Sequence, residues 1–189
     1  MRDTTNRILN ASLEVFKEFG YQKTTTKAIA SKAEVAEVTV YRKFSTKKAL
    51  FEATLRKYLN LSMEDTPIDP FTDSDEFIPR LMENRLERMS RQIAFIRLLI
   101  RESLTDTIPS DLHFDKYVET RLKTIVRTHL IHVNQKNHVE AISRMIVGTL
   151  LSYVLIPSEV PFHTLDETEK ASIVKTYSHL IVSAINSLK

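Results

Sequence analysis

The sequence predicts an all-α protein: an N-terminal three-helix, helix-turn-helix head followed by a C-terminal helical bundle, about nine helices in total. Three observations carry this. Only 2 of 189 residues are glycine, whereas tight β-hairpin turns depend on the positive-φ positions that glycine fills most readily. Apolar residues recur at spacings of three and four rather than two. Pro109, Pro157 and Pro161 fall between the periodic runs, where a missing N–H interrupts no helix.

The first run, 4–19, places Ile8, Leu9, Leu13, Val15, Phe16 and Phe19 largely on one helical face, with Asp3 or Thr4 as its cap and Gly20 as its stop. Thr25 is the expected N-cap of a second helix carrying Ala28, Ile29, Ala30 and Ala33. A turn at Glu34–Val35 leads to a short helix over 37–43, with Val40 and Phe44 on one face. Thr46 caps a longer helix striped by Leu50, Phe51, Leu55 and Leu59. Residues 64–74 read as a loop, and helices follow at roughly 74–89, 91–105, 112–135, 138–156 and 166–188. Residues 138–156 are apolar on nearly every side, which predicts burial on both sides. The last run carries Ile173, Val174, Tyr177, Leu180, Ile181, Ala184, Ile185 and Leu188. These two helices are the expected homodimer interface, pairing with their copies as a four-helix bundle.

Composition narrows the function. Hydrophobic residues at 42% and charged residues at 27% are globular proportions. With no cysteine, disulfides, thiolate zinc sites and cysteine nucleophiles are excluded. No glycine-rich phosphate loop is present. The N-terminus lacks the apolar run of a signal peptide, and the most apolar stretch, 145–157, is too short to span a bilayer, so a cytoplasmic protein without membrane contact is expected. Residues 1–60 hold 12 Lys and Arg against 6 Asp and Glu, whereas residues 61–189 hold 15 against 18. Such asymmetry fits a polyanion-binding head on a neutral body. No nucleophile, histidine and carboxylate arrangement points to an enzyme, and no cofactor is expected. His129 and His132 stand three apart, a spacing that can hold a metal, but six histidines in a helical chain produce such pairs by chance, so no metal is expected.

The chemistry lies in residues 24–44. A helix-turn-helix lays its second helix in the DNA major groove. Ala28, Ala30 and Ala33 are small enough for the helix crossing, and Val35, Val40 and Phe44 form the inner face. Outward stand Glu37, suited to accept from a cytosine amino group, Val38 and the Thr39 methyl for a thymine methyl, and Arg42 or Lys43 for guanine or phosphate. The Tyr41 hydroxyl, Lys47 and the hydroxyls of Thr24, Thr25 and Thr26 suit phosphate oxygens.

Phe16, Gly20, Tyr21, Thr24, Thr25, Ile29, Ala30, Ala33, Val35, Thr39, Tyr41, Phe44, Thr46, Lys47 and Leu50 together resemble the DNA-binding head of the TetR (tetracycline-repressor-type) family of transcriptional regulators. The likeness covers about the first quarter of the chain. It implies a head over 1–47, an effector-binding and dimerisation body over 48–189, a homodimer on double-stranded DNA, and release from the operator by a small molecule. It also implies base contacts from Glu37, Val38, Thr39 and Lys43, and phosphate contacts from Thr25, Tyr41 and Lys47. The chain departs from the family at Glu34, where glycine is usual, and at Ala36, where a serine cap is usual. The effector pocket is expected within helices of about 78–135, with Phe77, Leu81, Phe95, Leu99, Phe114, Tyr117, Ile125 and Tyr153 as candidate lining. Arg97, Arg101 and Glu102, charged groups on a strongly apolar helix, are expected at a solvated edge.

Overall fold

A computed structural model describes residues 2–62, 68–105, 107–156 and 160–188. Its described residues form helices and loops, without strands. The helices are α1 (Arg2–Lys23), α2 (Thr26–Lys32), α3 (Glu37–Phe44), α4 (Lys47–Ser62), α5 (Ser74–Arg91), α6 (Ile93–Ser103), α7 (114–132), α8 (Val139–Leu155) and α9 (Glu167–Ser187). Within α7 a π-helical stretch, Val118–Lys123, separates two α-helical pieces. The expected loop residues 64–67 and Pro157 lie outside the described residues, as does the side chain of the candidate cap Asp3.

Packing divides the chain into two units, residues 1–64 with 94–114 and residues 65–93 with 115–189. The packing boundary therefore does not fall between residues 47 and 48. The first unit holds α1–α4 and nearly all of α6. Phe16 of α1 and Phe51 of α4 are fully buried, with ring centroids 4.5 Å apart, and Leu50 and Leu55 are fully buried beside them. Full burial of a phenylalanine contributes roughly 1.5–3 kcal/mol. The three-helix head is thus closed by a fourth helix, because the stripe of α4 has its counterpart on α1.

Gly20 breaks the helical path of α1 at φ 75, ψ 173, a region essentially restricted to glycine. Beside it, Glu102 of α6 is buried and accepts the Tyr21 N–H at 3.3 Å and the Arg101 Nε–H at 3.1 Å. This corrects the expectation of a solvated edge at Glu102: the carboxylate satisfies an N–H that the kink leaves outside the helix. Arg101 itself remains half exposed.

In the second unit, α5 lies against α8 and α9. Phe77, Ile78, Leu81, Met82 and Leu86 of α5 meet Val126 and Leu130 of α7, Ile142 and Ile146 of α8, and Ile181 and Ile185 of α9. Asp73 caps α5 by accepting the Glu76 N–H at 2.9 Å, and Asp166 with Glu169 forms a capping box on α9. Within the single chain, helix α8 is buried on one side. Val139, Ile142, Ile146, Leu150 and Val154 face the core, while Ala141, Met145, Gly148 and Leu155 are exposed, because one chain covers only one side of it.

His129 is fully buried in this unit. Its Nδ1 lies 3.0 Å from the Pro70 carbonyl, its Nε2 lies 2.8 Å from Ser74 Oγ, and its ring stacks on Phe77 at 4.0 Å. A carbonyl only accepts, so Nδ1 carries the proton and the neutral Nε2 accepts from Ser74. Both nitrogens are thereby used within the chain. His132 packs edge-on against Phe71 instead of turning to the same point as His129.

Two measurements follow from this architecture. Ala36 begins α3 without a side-chain cap, so Ala36→Ser is expected to add about 1 kcal/mol. At this chain length that raises Tm by roughly 2–4 °C, and an unchanged or lower melting temperature contradicts it. Burial, with a smaller contribution from His132, holds the His129 imidazole below its ordinary value of 6.5. As pH falls through about 6.5 the unfolded chain takes up this proton before the folded one. Stability is therefore complete above that pH and declines below it. Urea unfolding at pH 7.5 and 5.5 is expected to show a smaller acid loss in His129→Phe than in the parent, and equal losses contradict the assignment.

Candidate nucleic-acid interface

Helix α2 starts at its expected cap: Thr25 Oγ1 accepts the Ala28 N–H at 3.1 Å. Ile29, Ala30 and Ala33 are buried, which brings α2 close to its neighbours. The turn that follows bonds Val35 N to the Ala30 carbonyl at 3.0 Å and puts Glu34 at φ 53. A non-glycine residue there is strained by roughly 1–2 kcal/mol. Arg7 of α1 offsets this, since its guanidinium donates to the carbonyls of Ala33 at 2.7 Å and Glu34 at 3.2 Å. It also reaches the Glu34 carboxylate at 3.4 Å, but that carboxylate is 87% exposed, so the ion pair itself adds little. Arg7 was not identified from sequence. Its partners lie up to 27 residues away, and no local pattern marks the pairing.

Helix α3 turns Val40 inward at 1% exposure, with Val35 and Phe44 half-buried beside it. This inner face fixes the outer one: Val38 is 72% exposed, Tyr41 is 48% exposed, and Arg42 is exposed with them. Thr39 and Lys43 are half-buried, and the Lys43 ammonium donates to Thr5 Oγ1 at 2.9 Å. Glu37 is also half-buried, its carboxylate 2.6 Å from Thr26 Oγ1, and that same oxygen lies 3.0 Å from the Tyr41 hydroxyl.

Two further candidate phosphate-contacting side chains, Thr24 and Lys47, are likewise occupied within the protein. Thr24 is buried, and its hydroxyl donates to the Gly20 carbonyl at 2.6 Å. The hydroxyl therefore serves the end of α1. Lys47 donates to the carbonyls of Tyr21 at 2.9 Å, Gln22 at 3.3 Å and Thr24 at 3.0 Å, and its ammonium stands 4.5 Å from the Tyr21 ring centroid. An ammonium has three donors, and three carbonyls take them. Thr25, by contrast, is exposed, and its hydroxyl proton is not consumed by the cap it makes.

The eight candidate pocket residues divide between the units. Phe95 and Leu99 are buried in the first, where Phe95 lies 6.2 Å from the Tyr58 ring, and Phe114 also belongs there. In the second, Phe77 and Leu81 are fully buried core, with Ile125 and Tyr153 packed against that core, and Tyr117 half-buried. Tyr153 stands 6.0 Å from Tyr177, and burial raises its hydroxyl's pKa well above the ordinary tyrosine value. A groove of about 430 Å³ between α5 and α9 is lined by other residues, among them Asp75, Glu83, Lys175, Ser178 and His179. Among the described residues no three histidine or carboxylate side chains are grouped to hold a metal, and no helix is long and apolar enough to cross a membrane.

Residues 8–54 match the profile of bacterial regulatory proteins of the tetR family. An uncharacterized HTH-type transcriptional regulator of Bacillus subtilis (strain 168), YvkB, is 47% identical over 58 residues, 31% of this chain and 31% of that protein. The match thus spans about a third of the relative's length. Solved structures resemble the whole chain. A bacterial regulatory protein of the tetR family from Rhodococcus RHA1 superposes with a TM-score of 0.73 at 19% identity, covering 96% of each chain. The fatty acid degradation regulator FadR from Bacillus halodurans does so with 0.65 at 18% identity, covering 95% of this chain and 94% of that one. At these identities the likeness is one of fold.

The occupied ammonium of Lys47 separates stability from surface charge. Lys47→Ala is expected to destabilise the protein by on the order of 2 kcal/mol, the worth of hydrogen bonds from a charged donor. Arg42→Ala, on an exposed edge, is expected to stay within about 0.5 kcal/mol of the parent. Chemical denaturation of both variants checks this, and equal stability of the two contradicts it.

Proposed function

Because the chain belongs to the tetR family of bacterial regulatory proteins, we propose that it is a DNA-binding transcriptional regulator, a repressor that a small molecule releases from its operator. One observation carries the DNA reading: α3 buries Val40 and thereby presents Val38, Tyr41 and Arg42 on one open edge. Val38 supplies an apolar contact for a thymine methyl, and Thr39 and Arg42 supply further base contacts. Thr25 and Tyr41 supply phosphate contacts, which hold the head in register without reading sequence. Lys43 and Glu37 join the base-reading edge once they leave their partners in the free protein. Lys47 and Thr24 contribute by shaping the end of α1, from which the threonine run begins.

A single eight-residue helix reads little sequence, so the working unit is a homodimer reading two half-sites about a helical turn apart. The faces of α8 and α9 left open in one chain support this. Ala141, Met145 and Leu155 of α8 and Leu180 of α9 are exposed, and a Cβ built on Gly148 would meet nothing within 4 Å. Glycine inside an exposed helix costs about 1 kcal/mol relative to alanine, a cost that close approach of a second helix compensates. Effector binding and dimerisation fall to the helices within 48–189, of which α4 and nearly all of α6 belong to the same unit as the head. The effector acts by binding more tightly to a state whose heads are wrongly spaced for successive major grooves.

Fluorescence anisotropy of purified protein against genomic fragments tests this reading. Binding at low salt with a stoichiometry of two chains per site is expected, and it should weaken steeply as salt rises because phosphate contacts release counterions. Failure to bind any fragment at low salt overturns it.

A further inference from the structure

The groove of about 430 Å³ between α5 and α9 lies within one packing unit and has the size of a small-molecule site. Lys170 of α9 reaches Glu87 of α5 at 3.6 Å, and from that point the two helices line the groove in opposite directions. Successive turns therefore bring Glu83 beside Val174 and Lys175, Pro79 beside Ser178, and Asp75 beside His179 and Val182. Val174 and Val182, both buried, and half-buried Pro79 make an apolar floor. Lys175 and His179 are exposed along one wall, and Asp75 and Glu83 along the other. Lys175, Ser178 and Val182 point away from Leu180 around α9, so a second copy docked on the Leu180 face leaves the groove open.

Ser178 stands in the middle of this groove. The residue is only 3% exposed, and its hydroxyl has no hydrogen-bond partner among the described residues. Such a group lowers stability until it finds a partner, and rotation about its one side-chain torsion can turn it into the groove. Lys175, Ser178 and His179 are spaced i, i+3 and i+4, so they share one helical face. An ammonium, a hydroxyl and an imidazole N–H are three donors, a set that suits a carboxylate. The opposite wall gathers acceptors. Asp75 and Glu83 supply carboxylates, and Pro79 has no N–H to give the Asp75 carbonyl four residues before it. An ammonium, which only donates, matches that wall. We propose that the groove binds a small zwitterion of the aliphatic amino-acid class. Its carboxylate lies on Lys175, Ser178 and His179, its ammonium on the wall of Asp75 and Glu83, and its side chain along Val174 and Val182. A ligand with a single charge leaves one wall unmatched and faces a like charge on it, which discriminates against it. The site goes beyond the regulator reading and stands without it.

Isothermal titration calorimetry of the full chain without DNA tests this. The probes are leucine, 4-methylpentanoate, which lacks the amine, and isopentylamine, which lacks the carboxylate. Leucine is expected to bind, and each analogue to bind about tenfold more weakly or worse. Ser178→Ala is expected to weaken leucine binding by roughly three- to tenfold, the worth of one hydrogen bond. It should leave the melting temperature of the free protein equal or higher, because it removes a buried hydroxyl without a partner. A merely structural serine would show the reverse, a lower melting temperature and unchanged affinity, and that result overturns the proposal. Should Ser178→Ala fold poorly, Lys175→Gln on the exposed wall carries the same test, and unchanged leucine affinity overturns the proposal. So does a parent protein that does not bind leucine, or that binds either analogue as tightly. Since no DNA is present, these failures leave the regulator reading standing, and a protein that binds leucine but no DNA removes that reading alone.

Discussion

Three backbone carbonyls at the end of α1 converge on one ammonium, and the geometry of the outer edge of α3 depends on that convergence. Gly20 lets the chain leave the helix sharply, which strands the carbonyls of Tyr21, Gln22 and Thr24 without helical donors. Lys47, the first residue of α4, gathers all three. A hydrogen bond from a charged donor is worth roughly 1.5–3 kcal/mol. By taking all three carbonyls, Lys47 ties the start of α4 to the end of α1. The threonines that open α2 leave from this junction, and Thr25 and Thr26 are thereby set in place for α3.

The same economy recurs across the head. Arg7 supports the strained turn, Glu102 receives the N–H after the kink, and Lys43 rests on Thr5. Each of these charged groups thus meets a backbone or hydroxyl partner, and Arg7 and Glu102 meet an opposite charge besides. Hydrogen bonds of this kind are less weakened by salt than surface ion pairs are. The head therefore keeps its order over a wide range of ionic strength.

Local features were legible in the sequence. Thr25 and Thr46 cap as read, Gly20 ends the regular path of α1, and the turn at Glu34 takes a positive φ. Each depends on residues within one helical turn, so spacing and residue type suffice. The helices beyond the loop also stand close to where the apolar periodicity put them. What could not be read is the use of long side chains whose partners are distant: Arg7 with Glu34 across 27 residues, Lys47 with Thr24 across 23, Glu102 with Tyr21 across 81. Glu37 illustrates the limit. Its position on the outer side of α3 was clear, but its bond to Thr26 required knowing how α2 crosses α3. The pocket candidates were illegible for another reason. A phenylalanine that fills a core and one that lines a cavity carry the same signal, and Phe77 proves to be core stacked on His129.

Glu34 and Ser45, at φ 53 and φ 60, bracket the recognition helix. Both are L-residues in a backbone state that glycine would adopt freely. In mechanical terms, an eight-residue rod is mounted between two stiff pivots. The unfolded chain is less floppy at these points than it would be with glycine, so less freedom is lost when the rod is set at its angle. The direction in which α3 points is held by torsion in the chain itself, and it survives even if every side chain on its outer edge is exchanged for another.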